Sequence, residues 1–186
     1  MPLKPPRQID SKRLRLRPVQ ESDIPDLMKV NGDDEVTRFL PYASWRSIED
    51  GKAWFERMSN LGLTSTVLQF VIVEKKASRI IGTCLLFRYD ESSARIEIGY
   101  VMGRAHWGKG FTHEALSALL SYTFEVYQLR RVEAEVDPRN IASNRLLLKL
   151  GFVCEGLLRK RWVGKGNPYD TNIYGLLRDE WPPGRQ

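Results

Sequence analysis

Between residues 67 and 102 three strand-like runs follow one another with only short polar turns between them, and the longest helical pattern of the chain comes next. The runs are Val67 to Glu74, Ile80 to Tyr89 and Ala94 to Met102, and Ser92 with Ser93 marks the second turn. Turns this short suit antiparallel neighbours, so the three runs predict a meander. The helix, about Phe111 to Tyr127, carries Leu116, Leu119, Leu120 and Phe124 along one stripe and must bury that stripe against the sheet. Arg131 to Val136 then reads as strand again. A strand, a helix and a strand in succession predict a right-handed crossover to a parallel neighbour, so the sheet is mixed, with an antiparallel first half.

The flanking segments complete the order. Residues 12 to 18 alternate Leu14 and Leu16 with Arg13, Arg15 and Arg17, the period of a half-buried strand, and Pro18 stops it. Ser22 offers an N-cap to a helix holding Pro25 in its first turn and ending near Gly32. After a shorter helical turn within residues 33 to 40, Ser47 caps a second helix through Trp54, Phe55 and Met58. Downstream, Ile141 to Leu150 is helical and Gly151 is its C-cap; Phe152 to Trp162 and Tyr169 to Leu177 close as strands. The order is β-α-α-β-β-β-α-β-α-β-β. It predicts an α/β (mixed α+β) fold with about seven strands in a twisted, mostly antiparallel sheet and about four flanking helices.

Composition narrows the class. With 186 residues, 42% of them hydrophobic and 28% charged, the chain suits one soluble domain, read here as residues 9 to 181 with 1 to 8 and 182 to 186 as tails. No run approaches the roughly 18 apolar residues of a membrane span, and the first residues carry prolines and basic side chains where a signal peptide needs an apolar stretch. A cytoplasmic location is expected. Cys84 and Cys154 both sit in apolar strand-like runs and are expected as buried, reduced thiols. His106 and His113 have no carboxylate or thiol cluster to complete a ligand set, so no metal is expected. The formal charge of +6 is spread along the chain, which suits an anionic ligand or an acidic partner as well as nucleic acid.

The turn between the third meander strand and the long helix reads Trp107-Gly108-Lys109-Gly110. Glycines there let the backbone approach a ligand closely, and the helix beginning at Phe111 turns its unpaired N–H groups and positive dipole end toward the same place. A phosphate is the natural occupant, although a glycine pair around a lysine is also an ordinary tight turn. A Walker loop needs Lys followed by Ser or Thr, whereas Lys109 precedes Gly110. A dinucleotide fingerprint needs a third glycine where His113 stands. Nucleoside triphosphate and NAD are both disfavoured.

Four blocks in this order carry a resemblance: Glu97-Ile98-Gly99-Tyr100, Trp107-Gly108-Lys109-Gly110-Phe111, Asn140-Ile141-Ala142-Ser143-Asn144, and Gly151-Phe152 with Glu155-Gly156. Together they resemble the GCN5-related N-acetyltransferases (the GNAT superfamily), and within them the RimJ/RimL-like ribosomal-protein N-terminal acetyltransferases, over nearly the whole chain. One departure is Ala105, where the family often has Gln or Arg three residues before the first glycine of its pyrophosphate loop. The resemblance implies a GNAT fold and acetyl-CoA as co-substrate. It implies cofactor contacts from the backbone of Ile98, Gly99, Tyr100 and Val101, and from the loop residues Arg104, Trp107, Gly108, Lys109, Gly110, Phe111 and Thr112. Asn140 is implied as a pantetheine contact, with helix capping as its structural alternative. Ser143 is implied as a proton donor to the departing sulfur or as a cofactor contact. Tyr100 and Tyr127 side chains read as core aromatics.

Acetyl transfer needs an uncharged amine, and the proton is the obstacle. Deprotonating a lysine ammonium at pH 7 costs roughly 4 to 5 kcal/mol, whereas an α-amine costs only about 1 to 1.5 kcal/mol. On the strand Ala94 to Met102, Ile96, Ile98 and Tyr100 share one face and Glu97, Gly99 and Val101 the other. The family likeness makes Glu97 the general base; a salt bridge to Arg95 or another cation is its structural alternative. Acceptor contacts are expected from residues 38 to 46, including Tyr42 and Trp45, and from residues 159 to 170. The implied acceptor is a primary amine: a protein N-terminus such as that of a ribosomal protein, a small amine or an antibiotic. No membrane or nucleic-acid partner is expected, and monomer and homodimer both remain open. The competing class is a non-catalytic acyl-CoA-binding or RNA- or ribosome-associated module. Against it, Phe87, Tyr89 and Tyr100 are too scattered for an RRM-type stacking surface.

Overall fold

The computed structural model describes residues 3–63 and 67–182. Its strands are β1 (Ile9–Asp10), β2 (Leu14–Pro18), β3 (Leu68–Glu74), β4 (Arg79–Asp90), β5 (Arg95–Met102), β6 (Arg131–Val136), β7 (Val153–Gly164) and β8 (Asn167–Leu177). The helices are α1 (Ile24–Asn31), α2 (Asp34–Thr37), α3 (Ile48–Leu63), α4 (Phe111–Glu125) and α5 (Ile141–Leu150). One sheet runs β1-β2-β3-β4-β5-β6-β8-β7, antiparallel at every pair except the parallel β5–β6. The mixed sheet and the crossover through α4 are therefore as the pattern predicts. The addition to the expected elements is β1, a two-residue strand too short for any period to register, while α2 is the short helical turn expected within residues 33 to 40.

Alternation along β3 divides the core in two. Phe70 and Ile72 face the layer that also buries Leu116, Leu119 and Leu120 of α4, while Val71 packs on the other face with Leu27 of α1 and Trp54 of α3. Each of those leucines, fully enclosed, contributes about 1.5–3 kcal/mol. Trp45 joins the second cluster, 5.5 Å from the Trp54 ring, so it is a packing residue rather than the acceptor contact expected of it.

Local chemistry departs from expectation at three places. Ser22 does not cap α1; it lies in a 3₁₀ turn, Glu21–Asp23, that precedes the helix. The cap-like work falls to Asp23, which accepts from the Gln20 N–H at 2.8 Å and pairs with Arg17 at 2.7 Å, because a carboxylate can take both donors at once. Cys84 is buried, but Cys154 is exposed. β7 is the sheet's edge strand and has little packed on it, so an apolar run there does not mean burial. Residues 3 to 8, read as a tail, dock onto the domain: Leu3 is buried in the main core and the Tyr127 hydroxyl donates to the Lys4 carbonyl at 2.6 Å. Residues 1–2 and 183–186 of the two expected tails lie outside the described residues.

One irregularity positions the site. β5 and β6 pair only at Arg95, Ile96 and Glu97, opposite Arg131, Val132 and Glu133. Beyond that point β5 stays with β4 as far as Met102, and β6 stays with β8 as far as Val136. The two parallel strands part immediately after Glu97, which leaves the Ile98 to Val101 backbone facing a gap rather than a neighbour.

Candidate active site

The gap opens into a cavity of about 390 Å³. Glu97 to Val101 of β5, Ala134 to Val136 of β6 with Asp137 after it, Asn140 at the α5 N-cap and Ser143 in its first turn line it, so the structure brings the predicted base, the backbone segment and the Asn140–Ser143 pair into one place. Phe39 to Tyr42, Trp162 and Tyr169, from the two segments where acceptor contacts were expected, form another part of its wall. Lys165, in the turn between β7 and β8, donates to the Thr37 carbonyl at 2.9 Å and ties those two segments together.

Glu97 is 6% exposed. Its carboxylate accepts from Arg88 Nη1 at 2.7 Å, and the same nitrogen reaches Glu135 at 3.2 Å. Arg88 comes within reach because the β4–β5 register slips between Phe87 and Asp90, where Arg88 itself has φ 52. A left-handed arginine is unfavourable by about 1–2 kcal/mol. The guanidinium also lies 4.9 Å over the Trp162 ring, whose Nε1 donates to Glu135 at 2.5 Å. Burial pushes the Glu97 carboxyl up to about 7; Arg88 pulls it down, and the neighbouring Glu135 and Glu133 add to the rise. The expected alternative of an ion pair is thus also present, with Arg88 as partner, since Arg95 is engaged by Glu133 at 2.8 Å. A carboxyl poised near neutrality is able both to take a proton and to give it up.

Asn140 caps α5, its Oδ1 accepting from the Ser143 N–H at 3.2 Å, and it lines the cavity as well. Capping fixes where Ser143 stands. Behind it Asn144 is buried, donating to the Asp137 and Asn140 carbonyls at 3.0 and 2.7 Å and accepting from Asn172 and Tyr174 at 2.9 and 2.6 Å. Tyr100 packs against the main core, as its reading from the sequence implies, but it also reaches the cavity wall.

The loop Gly103 to Thr112 lies past the end of β5 and does not line the cavity. Gly108 and Gly110 have φ 70 and φ 76, conformations that β-carbon-bearing residues resist, and a Cβ on Gly108 would meet only open space. Gly110, at the N-cap of α4, has no side chain to bond the helix's first N–H groups. Trp107 Nε1 donates to the Met102 carbonyl at 2.7 Å and Lys109 Nζ to the Ala105 carbonyl at 2.7 Å, so both side chains brace the turn. Arg13 of β2 reaches the same turn, with Nη1 donating to the Lys109 carbonyl at 3.1 Å and the guanidinium 4.3 Å over Phe111. Glu114 holds Arg13 in turn through its Nε at 2.6 Å. Neither Arg13 nor Arg88 was visible as a site residue in the sequence. Arg13 read as the outward face of a strand, and Arg88 depends on a register slip that no local pattern announces. Beyond Glu97 β5 has no strand paired on its β6 side, and the left-handed turn and the N-terminus of α4 follow it in the chain, a succession suited to an extended ligand ending in phosphates.

Residues 13–153 match the family model described as an acetyltransferase (GNAT) domain. The chain belongs to the GNAT acetyltransferase family. It is 36% identical to the uncharacterized N-acetyltransferase p20 of Bacillus licheniformis over 92% of this chain and 96% of that one. A GCN5-related N-acetyltransferase from Brucella melitensis superposes with a TM-score of 0.88 at 26% identity, covering 97% of this chain and 83% of the other. Over a shorter stretch, 47% of this chain and 45% of the relative, it is 34% identical to the ribosomal protein uS5 alanine N-acetyltransferase of Escherichia coli. The protein is therefore an acetyl-CoA-dependent acetyltransferase with the GNAT fold. No helix among the described residues is long and apolar enough to cross a membrane.

Proposed function

We propose that the protein moves the acetyl group of acetyl-CoA to a primary α-amine, with Glu97 as general base. The observation that carries this reading is the position of Glu97: buried, raised to about 7, and placed where β5 and β6 separate beside the cavity. A base of that strength suits an α-amine, whose deprotonation at pH 7 costs about 1 to 1.5 kcal/mol, better than a lysine side chain at roughly 4 to 5 kcal/mol. Glu97 accepts the ammonium proton and passes it to solvent, the free amine attacks the thioester carbonyl, and the C–S bond breaks as the carbonyl re-forms. The nitrogen then sheds its second proton to become the amide while the thiolate takes one up, and Ser143 on α5, on the cavity wall, is placed to relay that proton to the sulfur or to orient it. Ile98 to Val101, Arg104 to Thr112 and Asn140 hold the co-substrate, chiefly through backbone groups.

The acceptor is a protein or peptide N-terminus, as the name of the Escherichia coli relative suggests, and ribosomal proteins are the first candidates. Phe39, Tyr42, Trp162 and Tyr169 give its side of the cavity aromatic walls suited to the first residue of a peptide. Thiol release from acetyl-CoA is to be followed with peptides bearing free N-termini, with polyamines and with aminoglycosides, and the products weighed by mass spectrometry. Turnover is expected with the peptides, and the mass gain belongs on the α-amine. Release confined to polyamines or aminoglycosides, or acetylation found only on lysine side chains, refutes the acceptor assignment.

A further inference from the structure

Among the described residues the buried side-chain oxygens left without any hydrogen-bond partner are the Tyr100 and Thr171 hydroxyls. Both line the one cavity that holds Glu97. A buried hydroxyl gives up water and gains nothing in return unless a ligand supplies the missing bond, so an orphan on a cavity wall marks a contact the protein has prepared. The neighbouring polar groups are engaged: Asn172 and Tyr174, which follow Thr171 along β8 and lie on its opposite face, each donate to Asn144.

The two orphans stand on opposite faces of the sheet. Tyr100 alternates with Ile96 and Ile98, which face the core under α4 and α5. On β8, Asn172 and Tyr174 face α5, so Thr171 points the other way, as Glu97, Glu133 and Glu135 do through the registers Glu133↔Gly175 and Glu135↔Ile173. The cavity therefore passes through the sheet where β5 and β6 part, with one unpaired hydroxyl on each side. Resting on the function proposed above, we infer that these hydroxyls serve one reactant each: Tyr100 donates to the acetyl thioester on the α5 side, and Thr171 binds the acceptor backbone next to the amine on the Glu97 side.

Tyr100 is suited to donating. Burial raises its hydroxyl to about 12, so it keeps its proton throughout the working range. Ser143 acts in the opposite direction on that ionisation, yet the Tyr100 oxygen has no partner of hydrogen-bonding geometry, so the Ser143 oxygen is a near neighbour and not its partner. Thr171 is 1% exposed, so what reaches it must enter the cavity. A peptide N-terminus presents a carbonyl oxygen and an amide two bonds from the amine, groups a hydroxyl is able to bind, and a simple alkyl amine presents neither.

The test uses Tyr100→Phe and Thr171→Val, which remove the oxygens and keep the shapes. Calorimetry with acetyl-CoA and with free CoA reads the thioester contact, and steady-state kinetics with an alanine-initiated peptide reads the acceptor contact. Y100F is expected to weaken acetyl-CoA about fivefold, the worth of one neutral hydrogen bond, with free CoA unchanged. T171V is expected to raise the peptide KM by about the same factor and leave acetyl-CoA affinity alone. Neither apo variant should melt below the wild type, since each loses only an unsatisfied group. A lower melting temperature reveals an internal partner and overturns the inference, as does a variant that alters both reactants or neither. A wild type that binds no acetyl-CoA or turns over no peptide fails the parent function and this inference together. A competent wild type with unaltered variants fails this inference alone.

Discussion

Replacing Glu97 by Gln gives the most demanding test of the mechanism, because the same burial that tunes the base also leaves a signature in stability. Ionising a carboxyl raised from 4.5 to about 7 costs about 3 kcal/mol more in the folded protein than in the unfolded chain. Between pH 4.5 and 7 the folded protein binds the extra proton, so this group's stabilising contribution is fully present below pH 4.5 and is lost as pH rises through about 7. The amide of E97Q cannot ionise, so the variant escapes that loss. Its melting temperature relative to wild type should climb by about 6–12 °C between pH 4.5 and 8, using about 2–4 °C per kcal/mol for a chain of this size. Measuring the difference between the two proteins cancels every other carboxylate. The kinetic signature is separate: wild-type kcat/KM should rise with pH through an inflection near 7, and E97Q should lose that limb along with a factor of about 10²–10⁴ in turnover. Acetyl-CoA affinity should stay within twofold. Repeating the profile with a second acceptor of different amine basicity separates the enzyme's limb from the substrate's. A melting difference that stays flat across this range refutes the burial argument, and a variant that keeps both rate and inflection removes Glu97 from the chemistry.

The turn proposed to hold the co-substrate is testable through Glu114, which accepts from the Ser11 hydroxyl at 2.7 Å and from the Arg13 N–H and Nε at 2.6 Å each. Glu114→Gln presents one acceptor fewer and loosens Arg13 from the Lys109 carbonyl; acetyl-CoA binding by calorimetry should weaken about threefold to tenfold, with kcat at saturating donor preserved. An unchanged dissociation constant would show that Arg13 does not position the loop. Asn144→Ala removes the acceptor of the Asn172 and Tyr174 donors and the second hydrogen bond at the Asp137 and Asn140 carbonyls, which keep their backbone partners, and should lower the melting temperature by about 5–10 °C; a change under about 1 °C would mean the network is replaced by solvent.

The meander, the crossover through α4 and both glycine-marked helix ends were legible because each rests on a period or a backbone conformation that a few neighbouring residues decide. Gly151, for example, closes α5 at φ 98 with its N–H bonded to the Leu147 carbonyl, as a C-cap glycine does. Legibility failed where a position's meaning depends on distant chain. Ser22 has the right side chain for a cap, but Arg17 on β2 and the Gln20 amide draw Asp23 into that place. Trp45 sits in a polar loop by sequence and in a core by packing against Trp54. Cys154 belongs to an apolar run that ends up at an edge.

The candidate site divides along the same line. Sequence by itself marked which residues to expect at the site: Glu97 on the face opposite Ile96 and Ile98, the Gly108 and Gly110 turn before α4, and Asn140 with Ser143 opening α5. Strand alternation and helix capping are local, and they hold wherever the segment is placed. Only the tertiary structure decided what those residues experience. The parting of β5 from β6 after Glu97, the register slip that turns Arg88 onto the carboxylate, and the burial that lifts it to about 7 all arise between segments far apart in the chain. Ionisation follows the dielectric and the charges around a group, and these are set by whatever folding brings near it.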